Sequence, residues 1–329
     1  MGNSSKNYRN HFFIAPFLLG GLRASAEKFS AQSFVIVCLL LCAFLFTNCK
    51  NRNSADTPIA VPTREITDDS GRPVKIPEKV ERAVSLAPNL TEIVFAVGAG
   101  DRLVGVTTFC NYPEEAQKIQ KIGDTQMPNI ENIIALKPQV VLVSTASQME
   151  NFSRTLDAQA INVFVTNPNS LDDIYKTIRQ IGEIFGKDEK AQQVVDELKK
   201  RVANVETKTN SAKETKVFLQ ISKEPLFTVG RDSFMTDLIN RAGGVSVTAS
   251  SAAAYPNLSK ETAFALNPEA IILSDSEDNR EPNSAFKNSP AMRDGKVFKI
   301  NADLISRPAP RIVDALEQMA KALHPERFQ

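Results

Sequence analysis

Two segments of this 329-residue chain align without gaps. Residues 129–144 read NIENIIALKPQVVLVS and residues 259–274 read SKETAFALNPEAIILS. Glu131/Glu261, Ala135/Ala265, Leu136/Leu266, Pro138/Pro268 and Ser144/Ser274 coincide. Each copy predicts a short helix beginning after Asn129 or Ser259, whose side-chain oxygens can accept backbone N–H groups that a first helical turn leaves unpaired. Each helix should stop ahead of its proline, which disfavours helical backbone in the residue before it. The apolar runs VVLV and AIIL then predict strands buried on both faces, as in a parallel sheet. A fainter echo links Thr91-Glu92-Ile93 leading to Gly98 with Thr236-Asp237-Leu238 leading to Gly243. Repetition on this scale implies two similar α/β lobes.

Each lobe opens on a strand, at residues 82–86 (RAVSL) and 216–221 (KVFLQI), and further strands are expected at 103–107, 163–166 and 297–300. Strand–helix alternation implies right-handed crossovers and mainly parallel sheets. Between the lobes, Ser170 caps a helix whose Ile174, Ile178, Ile181 and Phe185 share a face before Gly186. A second stripe, Ala191, Val194, Val195, Leu198, Val202 and Val205, runs from Asp188 to about Asn210. Such a helix is roughly 30–35 Å long, enough to pass from one lobe to the other. The alternative packs it on one lobe and leaves the connection to the polar residues 208–215. Charges on its other face favour the bridge. The expected fold is α/β, with two similar lobes, each a mainly parallel sheet flanked by helices, joined by one long bridging helix.

Residues 34–47, FVIVCLLLCAFLFT, carry no charge and follow Arg23 and Lys28. A span of bilayer takes about 20 apolar residues; this shorter core with a basic flank describes a secretory signal. Cys49 at its end is similar to the lipidated cysteine of bacterial lipoproteins, although Asn48 stands where a small residue is usual. Cleavage without lipid and a retained anchor are the alternatives. The expected organisation is a lipoprotein-type signal peptide over 1–48, a tether and entry segment over 49–79, an N-terminal lobe over 80–168, a bridging helical segment over 169–210 and a C-terminal lobe over 211–329. The expected location is extracytoplasmic (periplasmic), with the chain attached to the membrane through lipid.

Several function classes are disfavoured. Lys+Arg 39 against Asp+Glu 38 gives a net charge of +1, without the clustered basic excess that nucleic-acid phosphates require. The sequence has no HExxH, GxSxG, GxxxxGK[ST] or GxGxxG. Past the leader the histidine is His324, which argues against serine–histidine catalysis and against multi-histidine metal sites. No catalytic residue, metal site or cofactor is expected. Past the leader the cysteines are Cys49 and Cys110, so no disulfide framework is expected, and Cys110 reads as a small buried apolar residue rather than a metal ligand. A tethered, two-lobed chain of this kind most economically binds a small molecule between its lobes.

The segments RAVSLAPNLTEIVFAVGAGDRLVGVTTFCNYP, NIENIIALKPQVVLV, FTVGRDSFMTDLINRAGG and ISRPAPRIVDAL occur in that order. Over about residues 80–325 the chain resembles the iron-complex and vitamin B12 group of periplasmic substrate-binding proteins of ABC importers, nearest to the cobalamin-binding members. The resemblance implies cobalamin or a related corrinoid as cargo rather than cofactor, and an ABC permease dimer with its ATPase subunits as partner. It places ligand contacts on Phe109, Thr125, Phe227, Tyr255, Asp303 and Arg307. Flat rings suit a large apolar disc, while a carboxylate and a guanidinium accept from and donate to its peripheral amides. Thr125 and Tyr255 stand where the cobalamin-binding relative has Trp, and Phe109 where it has Tyr. Losing a ring at Thr125 removes about 1–2 kcal/mol of apolar burial and widens the range of ligands. Phe227 also reads as a core residue at a strand end, Asp303 and Arg307 as a surface ion pair, and Tyr112 as either ligand-facing or turn-closing. Glu131 and Glu261 each fall in a first helical turn, where the helix dipole favours a carboxylate; the resemblance assigns them to permease docking. The rival readings are a ferric siderophore or haem in the same fold, haem taking Tyr112 or Tyr255 as axial ligand, and an enzyme using Asp303 and Arg307.

Overall fold

The computed structural model describes residues 62–144 and 155–329. The signal segment, Cys49 and residues 49–61 of the tether lie outside the described residues.

The described part opens with a hairpin. Strands β1 (Thr63–Thr67) and β2 (Pro73–Pro77) pair antiparallel, Arg64 opposite Ile76 and Ile66 opposite Val74. The buried Asp68 closes the turn by accepting from the N–H groups of Ser70 and Arg72 and from the Arg72 guanidinium. The hairpin is clasped to the first lobe: Asp69 N–H donates to the Val165 carbonyl at 3.0 Å, Lys176 Nζ reaches Asp69 at 2.7 Å, and Arg64 donates to the Ile184 carbonyl at 3.1 Å. No strand is expected here from the sequence. β1 buries one side chain and β2 two along five residues, and β2 carries a proline at each end, so the apolar pattern is too short to announce a strand.

The first lobe follows: β3 (Ala83–Ser85), α1 (Pro88–Ala96), β4 (Leu103–Val106), α2 (Ile130–Ala135), β5 (Val140–Ser144) and β6 (Asn162–Thr166). Two helices come next, α3 (Leu171–Phe185) and α4 (Asp188–Thr209). The second lobe comprises β7 (Thr215–Gln220), α5 (Phe234–Arg241), β8 (Gly244–Ser246), α6 (Lys260–Leu266), β9 (Ala270–Asp275), α7 (Pro290–Arg293), β10 (Val297–Asn301), α8 (Ala302–Ile305) and α9 (Ile312–Leu323). Both sheets are parallel, ordered β4-β3-β5-β6 and β8-β7-β9-β10. The two orders are the same once the lobes are superposed in sequence, which is what the repeat predicts.

The repeat extends to the caps. Asn129 accepts from Asn132 N–H at 2.9 Å, and Ser259 accepts from Thr262 N–H at 3.1 Å. Ahead of the two prolines, Lys137 and Asn267 sit at φ 48° and 44°, the left-handed conformation that ends a helix. Gly98 and Gly243, just past α1 and α5, both have positive φ, at 76° and 80°. The strand β8 is not foreseen from the sequence, for its three residues include the exposed Val245.

One apolar core runs through both lobes. It joins Leu90 and Ile93 of α1, Ile174 and Ile178 of α3, Val195 and Val202 of α4, Leu238 of α5 and Leu316 of α9. Two smaller clusters cover the other faces of the sheets. Helix α4 has 22 residues, about 33 Å at 1.5 Å per residue. It packs on α3, α5 and α9, and Arg201 ties it to α9 through Asp314 and Glu317. A Cβ on Gly182 would stand 2.4 Å from the Ala191 side chain, so α3 and α4 approach too closely there for any other residue. Helix α3 touches both lobes, packing on α1 of the first and α5 of the second. Its first N–H, from Leu171, donates to Asp237 of the second lobe at 2.9 Å, while its C-terminal turn holds Arg64 of the hairpin.

Candidate functional site

In parallel α/β sheets ligands lie beyond the carboxyl ends of the strands. The candidate residues are distributed in that way. Past β4 come Phe109, Asn111 and Tyr112; past β7, Phe227; past β8, Tyr255; past β10, Asp303 on α8, then Arg307 and Arg311 leading into α9. The chain after β3 turns into α1, which carries Glu92.

The two carboxyl edges face each other, joined by polar contacts. Glu92, 3% exposed, is the centre. Its carboxylate accepts from Arg311 Nε at 2.9 Å and Arg311 Nη2 at 2.6 Å, and from Arg307 Nη1 at 3.0 Å. Arg307 also pairs with Asp303 at 2.6 Å and donates to Asn111 Oδ1 at 2.7 Å. Asn111 Nδ2 returns a bond to Asp303 Oδ2 at 2.9 Å. The Arg311 guanidinium lies 3.7 Å from the Tyr112 ring centroid, a cation–π distance. Bonding to Glu92 is the foremost cause of a raised Arg311 pKa, with burial opposing it. Two carboxylates and two guanidinia in this cluster cancel.

The loop bearing the first-lobe residues is rooted by Cys110, 1% exposed, whose Sγ lies 3.2 Å from the hydroxyls of both Thr91 and Thr107. Its neighbours Phe109 and Tyr112 remain 57% and 45% exposed. Rings of that size left open beside a buried anchor mark a contact surface rather than a core.

On the second lobe, Phe227 is half-buried and bridges through its backbone to Ser222 and Asn257. Tyr255 belongs to the same tongue, where Thr228 N–H donates to the Pro256 carbonyl at 3.1 Å and Gly230 N–H to the Ala254 carbonyl at 2.8 Å. Its ring is 47% exposed. Burial pushes its hydroxyl pKa up, and a hydrogen bond with Ser233 opposes the shift. Thr125 is half-buried in a separate turn, which Asp124 ties by accepting from the N–H groups of Gln126 and Met127. The contacts thus gather Phe109, Asp303 and Arg307 across the lobes, Arg307 Nη2 lying 3.4 Å from the Phe109 carbonyl; they place Phe227 and Tyr255 on one backbone-paired segment of the second lobe and leave Thr125 outside both groups. Asp303 and Arg307 do pair with each other, yet Arg307 also reaches the first lobe through Glu92 and Asn111.

Sequence reasoning missed Glu92, Asn111 and Arg311 as site residues. Glu92 carries a usable signal: a carboxylate within LTEIVFAV, a helix with apolar residues on either side of it, needs a buried partner. Arg307 and Arg311 stand four apart in a proline-flanked segment, which hints at a shared target.

Glu131 and Glu261 are both exposed at the second position of short helices, α2 and α6, whose single buried residues are Ile133 and Ala263. The backbone N–H of Glu261 and the Ser259 hydroxyl, together with Lys260, hold its carboxyl below the usual range. No helix among the described residues is long and apolar enough to cross a membrane.

The family model described as periplasmic binding protein matches residues 84–304. The chain is 30% identical over 305 residues to the uncharacterized ABC transporter substrate-binding lipoprotein YvrC of Bacillus subtilis, covering 88% of this chain and 96% of that one. It is 31% identical over 248 residues to the vitamin B12-binding protein of Vibrio parahaemolyticus, covering 74% and 90%. Among solved structures, the periplasmic vitamin B12 binding protein BtuF of Vibrio cholerae superposes with a TM-score of 0.66 at 28% identity, over 76% of this chain and 99% of that one. With its twin parallel sheets, helical bridge and facing carboxyl edges, the chain belongs to the periplasmic binding protein family.

Proposed function

We propose that this chain is the substrate-binding component of an ABC importer, held outside the cytoplasm by lipid on Cys49, and that it carries cobalamin or a related corrinoid between its lobes without catalysis. The vitamin B12-binding relatives support this reading. The observation that carries it is the composition of the strand carboxyl edges: exposed rings on both lobes, Phe109 and Tyr112 on the first and Tyr255 on the second, beside a polar cluster with no net charge. A corrin is an apolar disc fringed with uncharged amides, which such a surface suits. A polyanionic ferric siderophore would want unpaired cations, and both guanidinia here already face carboxylates. Haem would want a free phenol, whereas the Tyr255 hydroxyl is bonded to Ser233. The exposed Glu131 and Glu261, at matching points of the two lobes, serve as the docking pair for the two permease subunits.

Calorimetric titration of the leaderless protein with cyanocobalamin, cobinamide, haem and a ferric siderophore tests the assignment. Saturable binding of the corrinoids alone is the expected result. Binding of haem or the siderophore without the corrinoids would overturn it.

A further inference from the structure

We propose that the carboxamide of Asn111 is a built-in stand-in for a primary carboxamide of the ligand, which displaces it on binding. The inference rests on the corrinoid reading, in which the Asp303–Arg307 pair takes a peripheral amide, and adds the residue of the chain that fills that place beforehand.

The Asn111 side chain inserts between Asp303 and Arg307 in the one orientation their charges permit. Its NH2 donates to Asp303 Oδ2 at 2.9 Å, and its carbonyl oxygen accepts from Arg307 Nη1 at 2.7 Å. Asp303 and Arg307 are themselves paired at 2.6 Å, so the amide closes a ring of donors and acceptors. A carboxylate in the same place would set a negative oxygen against Asp303, and an ammonium would set a positive group against Arg307. A group that donates on one side and accepts on the other without net charge fits both, and a primary carboxamide has that pattern.

Three features make Asn111 replaceable. The residue is exposed, unlike its buried neighbour Cys110, so its side chain can swing into water without opening the core. Its main chain is held independently, Gln117 Nε2 donating to the Asn111 carbonyl at 3.1 Å and Cys110 N–H to the Thr107 carbonyl at 3.1 Å. Glu92 keeps Arg307 in place through a separate bond at 3.0 Å, so the receptor pair persists when Asn111 leaves. A ligand amide then gains two charge-assisted bonds while the protein loses two of the same kind, and the affinity of the native chain is reduced by the competition.

The test compares the native leaderless chain with Asn111→Ala by calorimetry, using cobinamide and a corrinoid whose peripheral amides are hydrolysed to carboxylic acids. Cobinamide is expected to bind the variant about tenfold more tightly, with no gain for the acid form. Unchanged or weakened cobinamide binding in the variant, or an equal gain for both probes, overturns the inference. If neither chain binds any corrinoid, the corrinoid reading itself fails, and plain propionamide decides the stand-in separately. An NMR titration in which propionamide saturates Asn111→Ala at a lower concentration than the native chain, with propionate binding neither, supports it. Equal response of the two chains to propionamide, or none in either, overturns it.

Discussion

Replacing Glu92 with Ala is the sharpest test of how the lobes are held. The Glu92 side chain is 2% exposed, Arg307 11% and Arg311 22%, so the substitution strands two guanidinia that water reaches poorly. Removing one partner of a buried ion pair costs about 3–5 kcal/mol. The lower end applies here, because Arg307 keeps Asp303 and Asn111, and Arg311 keeps the Tyr112 ring. A loss of about 3 kcal/mol corresponds to a fall in Tm of roughly 6–12 °C for a protein of this size. Urea unfolding followed by circular dichroism measures the free energy, and scanning calorimetry the temperature. Glu92→Gln, which keeps a hydrogen-bonding oxygen but not the charge, should fall between native and Ala. Combining Glu92→Ala with Arg311→Met should recover part of the loss, since the double variant no longer buries an unmatched charge, and the cycle should return a coupling of about 1.5 kcal/mol or more. A loss below about 1 kcal/mol for Glu92→Ala, or strict additivity in the cycle, would refute the view that this carboxylate pins one lobe to the other.

Other outcomes follow from the same geometry. Tyr175 is buried, its hydroxyl has no hydrogen-bond partner, and burial pushes its pKa up to about 12. The unfolded chain therefore loses that proton near pH 10 while the folded chain keeps it, so stability falls between pH 10 and 12 by about 2–3 kcal/mol; Tyr175→Phe should show a correspondingly shallower decline in pH-dependent unfolding. Charge reversal at both Glu131 and Glu261 should abolish transport into proteoliposomes carrying the cognate permease and leave corrinoid affinity unchanged; intact transport would remove them from docking. Arg201 pairs with Asp314 and Glu317, all three about one-third exposed, so Arg201→Met should cost only about 1 kcal/mol and the deficit should shrink in high salt, as read by urea unfolding at two ionic strengths.

The architecture was legible because it is written twice. Asn129 and Ser259, Pro138 and Pro268, and the two apolar runs fix local structure by caps, breakers and period, and those constraints act within a few residues of chain. The hairpin was not legible, since Ile66, Val74 and Ile76 are too few to reveal a pattern and are buried by joining the main core, where β2 meets β6. The site divides in the same way. Phe109, Asp303 and Arg307 come together across the lobes, and Phe227 and Tyr255 belong to one backbone-paired tongue of the second lobe. Glu92, Asn111 and Arg311 escaped notice because their roles depend on residues some 200 positions away, a separation at which local pattern says nothing about contact. Thr125, placed by resemblance alone, sits in a turn of its own.

Each parallel sheet is built from one uninterrupted stretch of polypeptide, and α4 carries the chain from one to the other. Wherever the chain emerges N-terminus first, every strand of the first sheet is delivered before the first strand of the second. The leading half can collapse while its twin is still arriving, and the last segment to appear, which brings Arg307 and Arg311 to Glu92, fastens the halves together.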